Sequence, residues 1–348
     1  MHLDDVLKGC LQSGSLTREE ILFLLSRDDT EEITAITRCA DEVRRIHCGP
    51  DVHIRALVEF SNHCRRNCNY CGLRRGNGDL VRYRMSIEEI VELAITLYHK
   101  GLRTIVLQSG EDPFYHVDML SDMVRRIKRT TDMAVTMCVG ERPKEEYLKL
   151  KDSGADRYLL RHEAANRELY AQLHPDSRYD ERMKCLEDLR ELGFQVGAGS
   201  MVGVPGQTIK HLADDIEFIQ QFQPDMVGIG PFIAHPNTPY IGCPNGGLDM
   251  SLKMVALARF VTRDALIPAT TAIGSIQEDG RELALEAGAD VVMPNYTPLA
   301  YRVHYEIYPN KRCIAEDPIH CHSCMRMRIL SVDRSVAEDV GHSRKRGQ

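Results

Sequence analysis

The chain has 348 residues, of which 43% are hydrophobic and 27% charged, with a formal net charge of −7. That is room for a barrel of about 250 residues plus extensions, and the acidic balance excludes a global basic field that would draw the chain to nucleic acid or anionic lipid. No apolar run approaches the ~18 residues of a membrane span, and the opening residues, with Asp4, Asp5, Lys8, Arg18, Glu19 and Glu20, lack the apolar stretch of a signal peptide, so a cytoplasmic protein is expected.

Residues 1–50 read as two helices ahead of the main domain. From there, short β-type runs at 53–61, 104–109, 134–139, 157–163, 195–202, 226–232, 267–273 and 290–294 alternate with amphipathic helical runs at 86–100, 117–129, 180–192, 209–221, 251–263 and 281–287. Ser86 followed by Glu89 has the spacing of a capping box, and Gly101, Gly154, Gly193 and Gly288 stand where helices stop. Eight such strands predict an α/β fold, a (β/α)8 barrel of the TIM type over 51–304, with a doubly wound sheet as the structural alternative. Residues 305–348 carry little regular pattern and read as a C-terminal extension.

Strand parity gives the barrel an unusual interior. In the first strand Ile54, Ala56, Val58 and Phe60 share one face, and Arg55, Glu59 and Ser61 the other. In the fourth, Arg157, Leu159, Arg161 and Glu163 oppose Tyr158, Leu160 and His162. The apolar faces must meet the helices, so the charges point inward, where a filled barrel would place Val, Ile and Leu. Burial of such groups is costly unless something pairs with them. Either an internal salt-bridge network or a polar ligand is implied.

Twelve cysteines in a reducing compartment point to metal or catalysis where they cluster. Cys10, Cys39, Cys48, Cys138, Cys185 and Cys243 are scattered and read as small, partly buried side chains. Cys64, Cys68 and Cys71 directly follow the first strand, at the barrel mouth where active sites of this fold sit. Three thiolates suit an iron–sulfur cubane with one iron left open. A zinc site would want a fourth ligand, for which His63 is poorly spaced.

Cys64-x3-Cys68-x-Tyr70-Cys71 resembles the signature of the radical S-adenosylmethionine (SAM) superfamily. The resemblance implies a 4Fe–4S cluster on Cys64, Cys68 and Cys71, with SAM chelating the open iron and being cleaved reductively to a 5′-deoxyadenosyl radical. It further implies that Gln108, Ser109 and Glu111, in an element similar to the family's Gly-Gly-Glu, meet the methionine amino group. Glu163 would take the ribose hydroxyls, Arg182 the methionine carboxylate, and the glycine-bearing segment 197–203 the adenine. Tyr70, Thr136, Met201, Met293 and Tyr305 complete the implied cofactor-binding set. The run Gly197, Gly199, Gly203 is not a dinucleotide fingerprint, because its third glycine comes one residue late.

Within the superfamily, stretches such as Tyr70-Cys-Gly-Leu-Arg-Arg, Ile105-Val-Leu-Gln-Ser-Gly-Glu and Asp225-Met-Val-Gly-Ile-Gly-Pro-Phe resemble the maturases of FeFe-hydrogenase, with matches from His53 to Cys324. The implied role is assembly of the diiron subcluster of the H-cluster from a cysteine-bound iron carrying carbonyl and cyanide. The implied partners are that small organometallic or amino-acid-derived substrate, other hydrogenase maturases, and a low-potential electron donor such as ferredoxin or flavodoxin. Arg55, Arg157, Arg161, Thr270, Thr271 and Tyr305 are the expected substrate residues, the inward arginines suiting an anion. Biotin synthase is a poorer match, because Gly197 stands where its fifth-strand cysteine would be. A methylornithine synthase-like radical mutase is the second reading, and a non-enzymatic iron–sulfur carrier or scaffold is a reading from another class. The back triad Cys313, Cys321 and Cys324 resembles a second, peripheral cluster, 2Fe–2S or 4Fe–4S, of some maturase-family members; His320 and His322 flank it as alternative ligands for iron or zinc.

Overall fold

The computed structural model describes residues 1–314 and 318–346, except for the side chains of 318–322 and 346. Three helices precede the barrel where the sequence predicts two: α1 (Leu3–Gln12), α2 (Arg18–Leu25) and α3 (Thr30–Cys48). Two caps make the difference. Thr17 and Glu20 form a reciprocal capping box that starts α2, and Asp29 accepts from the amides of Glu31 and Glu32 to start α3.

The barrel staves are β1 (Asp51–Ile54) with β2 (Ala56–Ser61), β3 (Thr104–Ser109), β4 (Ala134–Cys138), β5 (Arg157–Leu159), β6 (Gln195–Ala198) with β7 (Met201–Val202), β8 (Met226–Val227) with β9 (Gly230–Pro231), and β10 (Val291–Val292). All pairings are parallel, in the order β2-β3-β4-β5-β6-β8. Single bridges at Met226↔Leu266, Pro268↔Val291 and Leu57↔Asn295 close the ring. The predicted seventh strand shrinks to that pair of bridges. Pro268 has no N–H to give the ladder, and Thr270 already caps the next helix.

Register is locked by a repeated device. Asp156, Asp225 and Asp290 each precede a stave and accept from the amides of Val135, Val196 and Ile267 on the stave before it, at 2.8, 2.8 and 2.7 Å. Outside lie α4 (Ile87–His99), α5 (Val117–Thr130), α6 (Lys144–Asp152), α7 (Arg167–Leu173), α8 (Tyr179–Glu191), α9 (Ile209–Phe222), α10 (Leu248–Thr262), α11 (Thr271–Ile276), α12 (Gly280–Glu286) and α13 (Leu299–Arg302). The Ser86/Glu89 capping box opens α4. Val58, Phe60, Ile105, Leu107, Val135, Met137 and Tyr158 are buried against this shell, and burying each large apolar side chain favours folding by about 1.5–3 kcal/mol. None of the helices described is long and apolar enough to cross a membrane.

The C-terminal extension is more ordered than its sequence pattern suggests. It forms α14 (Pro318–Leu330) and β11 (Ser335–Val336), which pairs in parallel with β1. The chain then crosses the N-terminal end of the barrel as a strap. Thr104 Oγ1 and Arg157 Nη2 donate to Val340 O at 2.9 and 2.7 Å, Arg157 Nη2 also to Gly341 O at 2.7 Å, and Arg55 Nη2 to Gly341 O at 3.2 Å. His53 Nε2 lies 3.0 Å from Asp339 Oδ1, and Ser343 N donates to Gln195 Oε1 at 2.8 Å. Arg55 and Arg157, expected to hold substrate, are therefore floor residues bound to the chain's own carbonyls. Arg157 opens β5 and Arg55 precedes β2, so at ~3.3 Å per residue both lie well short of the strand ends that carry the mouth loops.

Candidate active site

The triad sits on the loop between β2 and α4, residues 62–86. Arg84 reaches Asp112 at 2.7 Å, and Asp112 also accepts from Ser61 Oγ at 2.7 Å, tying the loop's end to the end of β3. Gly110 is required there: a Cβ would collide with the His63 carbonyl and the Cys64 side chain. Gly140, at φ +76°, leaves room for Glu111 in the same way. Cys64, Cys68 and Cys71 are free and partly buried. Burial pushes the Cys71 thiol up to about 12 and Cys68 well above the ordinary thiol range, with the other two thiols adding to the shift at Cys68. Among the described residues no three potential ligands converge tightly enough for one metal ion.

Beneath the loop, buried polar atoms stand without hydrogen-bond partners: Thr136 Oγ1, Ser200 Oγ, Thr270 Oγ1, Arg161 Nε and Nη2, and Glu163 Oε2. Arg161 Nη2 is 2.9 Å from Glu163 Oε2, but the two do not align as a hydrogen bond. Glu163 holds φ at +64°, a strained value for a residue with a Cβ. Orphaned buried polar groups cost about 1–3 kcal/mol each, so a polar ligand fits this chamber. The residues present suit both a cluster and SAM.

The remaining expected site residues are distributed around it. Gln108 Nε2 donates to Tyr305 Oη at 3.2 Å, and Tyr70 Oη is 3.1 Å from His174 Nε2. Met201 is buried with Phe232 and Tyr170 and packs near Tyr70. Met293 instead lies on an apolar layer with Met226, Leu266 and Val291. Ser109 Oγ donates to Gly110 O at 2.7 Å. Glu111 is committed to Arg65 at 3.0 Å and Arg66 at 2.7 Å, both on the triad loop. Arg182 donates to Glu141 Oε1 at 2.6 Å and to Arg161 O at 2.5 Å. Thr271 Oγ1 accepts from Arg281 at 3.3 Å and faces a cavity it shares with Asn295, Cys313 and Cys324. The back cysteines thus lie beside α11, not apart from the barrel; the side chain of Cys321 is outside the described residues.

Three site residues escape sequence reasoning. Glu141 gathers Arg182, Arg66 and Ser177. Cys138 shares the inward face of β4 with Thr136, pairs in register with Gln108, and has its thiol pushed up to about 12 by burial, against the pull of Arg161. Lys311 of the extension enters the mouth to pair with Glu59, which also accepts from Asn295 at 2.6 Å. Strand parity could have found Cys138; nothing local marks the other two.

The Radical SAM superfamily model matches residues 58–219. The solved structure of methylornithine synthase (PylB) shares the fold, with a TM-score of 0.84 and 24% identity over 95% of this chain and 97% of that one. Barrel, mouth thiols and family model together define the class: a radical SAM enzyme, with the 4Fe–4S cluster and SAM that this implies. The FeFe hydrogenase maturase subunit HydE of Thermotoga maritima is 51% identical over 336 residues, 97% of this chain and 96% of its own. The 3-methylornithine synthase of Methanosarcina barkeri is 28% identical, over 84% of this chain and 83% of its own. The chain belongs to the HydE family.

Proposed function

We propose that this chain works in FeFe-hydrogenase maturation, acting on a small cysteine-bound iron substrate that carries carbonyl and cyanide on its way to the diiron subcluster. The observation that carries this reading is 51% identity to a HydE subunit over 97% of the chain, spanning the mouth residues as well as the triad. A 4Fe–4S cluster on Cys64, Cys68 and Cys71 supplies, with SAM, reductive cleavage and the radical chemistry that follows. The chain's own part is positioning. Arg182, held by Glu141, presents its remaining terminal nitrogen to a carboxylate. Glu163 accepts from hydroxyls, and Arg161, Thr270 and Tyr305 receive an anionic substrate. Among expected partners are the other hydrogenase maturases and a low-potential donor such as ferredoxin or flavodoxin. A second cluster, 2Fe–2S or 4Fe–4S, belongs on Cys313, Cys321 and Cys324.

The test adds anaerobically loaded protein to a maturation mixture that lacks only its HydE component, and in parallel assays it for methylornithine formation in a mixture of free amino acids. Hydrogenase activity without methylornithine is the expected result. Methylornithine without hydrogenase activity would overturn the reading in favour of the mutase.

A further inference from the structure

Arg82 stands in an unusual position on the triad loop. Its Nη1 donates to Asn62 O at 2.5 Å and Leu73 O at 2.9 Å, and its Nη2 to Arg74 O at 2.8 Å and Asn77 O at 3.2 Å. One guanidinium therefore ties the chain just before the triad to the chain just after it. Other bonds hold the same loop, among them Arg75 N to Arg66 O at 2.8 Å, Gly76 N to Asn67 Oδ1 at 3.0 Å and Tyr83 N to Asn62 Oδ1 at 2.8 Å, but the Arg82 guanidinium alone gathers four carbonyls from both sides of the triad. Arg's planar fork suits such multiple capture, which a lysine's point charge cannot reproduce.

Its charge is also uncompensated. Arg65 and Arg66 pair with Glu111, and Arg84 with Asp112. Among the described residues no carboxylate reaches Arg82, whose four partners are neutral carbonyls. Its guanidinium rests on the carbonyls of Asn62, two residues before Cys64, and Leu73, two residues after Cys71, so a cluster on those thiolates would lie beside it. A half-buried cation without a counter-ion is costly until anionic thiolates stand beside it.

We propose that Arg82 is a positioning residue that shapes the triad loop and, by its charge, draws the reduction potential of a cluster bound there upward. This rests on the triad's holding a cluster. Each added electron makes the cluster more negative, and cluster potentials follow net charge and hydrogen bonding nearby. An adjacent cation therefore stabilises the reduced state.

The test uses Arg82→Gln and Arg82→Met, which remove the charge, and Arg82→Lys, which keeps it with fewer bonds. In iron-free protein, backbone amides over residues 62–80 should exchange hydrogen faster in all three variants than in the unaltered chain. In anaerobically loaded protein without SAM, titration followed by electron paramagnetic resonance should give a more negative midpoint for either neutral variant, and one near the unaltered value for Arg82→Lys. Iron kept by Arg82→Lys but by neither neutral variant also supports the charge role. Unchanged exchange, or a loaded neutral variant titrating at the unaltered midpoint, would overturn the proposal. Failure of the underlying reading looks different: the unaltered chain would itself hold no cluster.

Discussion

Glu141 organises the mouth at the scale of single residues. It is 6% exposed and receives Arg182, Arg66 and Ser177. Burial raises its affinity for a proton, but Arg182 and Arg66 outweigh that and hold its carboxyl below the ordinary range. A carboxyl depressed in the folded state stabilises the fold above its unfolded value, about 4.3 for Glu, and that contribution is lost as pH falls through the folded value. Glu141→Gln should lower stability near pH 7 by about 3–5 kcal/mol, the usual effect of stranding one side of a buried pair. Denaturant unfolding across pH should show the gap between variant and unaltered protein closing below pH ~4.3; a constant gap would contradict this. Glu141 was not legible in the sequence because its partners lie 41 and 75 residues away. Arg161 and Glu163 were singled out by alternation along a strand predicted over 157–163, but β5 ends at Leu159 and Glu163 turns to a φ of +64°, so the backbone beyond the strand, not its alternation, sets their direction.

At the scale of elements, the strap and the back cysteines carry the argument. The strap holds Arg55 and Arg157 by backbone carbonyls, a kind of contact that leaves no pattern in sequence. The same is true of β11, only two residues long. α4, with its capping box, and α5, with its strong periodicity, were readable to within a residue or two; strand 267–273 was overestimated because Pro268 gives no N–H to the ladder, and strand 226–232 divides into β8 and β9, which pair with β6 and β7. Each hydrogen bond to a charged group contributes about 1.5–3 kcal/mol. Deleting residues 338–348 and replacing Arg157 with Ala should each lower the unfolding midpoint, and the combined change should cost less than the sum. Additive losses would show that strap and arginine do not depend on each other. For the back triad, replacing Cys313, Cys321 and Cys324 together with Ser should leave SAM cleavage within about twofold of the unaltered protein, because the front triad alone carries the open iron. Abolished cleavage at full front-cluster iron content would contradict that separation.

Over the whole molecule, the inward charges of the barrel divide into two groups. Those at the floor, Arg55 and Arg157, donate to strap carbonyls, although Arg55 Nε keeps no hydrogen-bond partner among the described residues; burial, with Arg157 also repelling Arg55, lowers both, Arg157 to about 10. Those at the mouth, Arg161 and Glu163 with Thr136, Ser200 and Thr270, keep orphaned atoms. The sequence offers an internal salt-bridge network or a polar ligand for the charged interior; at the floor the arginines instead bind the strap's neutral carbonyls, and the mouth keeps the atoms without hydrogen bonds that suit a polar ligand. Strand direction decides which end is the mouth; that the other end is closed by the extension is what no local pattern records. The mouth group lies on the side of the three thiols, and SAM is expected to be opened there. The direct measurement is release of 5′-deoxyadenosine from SAM by anaerobically reconstituted, chemically reduced protein, compared with Cys68→Ala. The account predicts release by the unaltered chain and none above background by the variant; equal release from the two would contradict it.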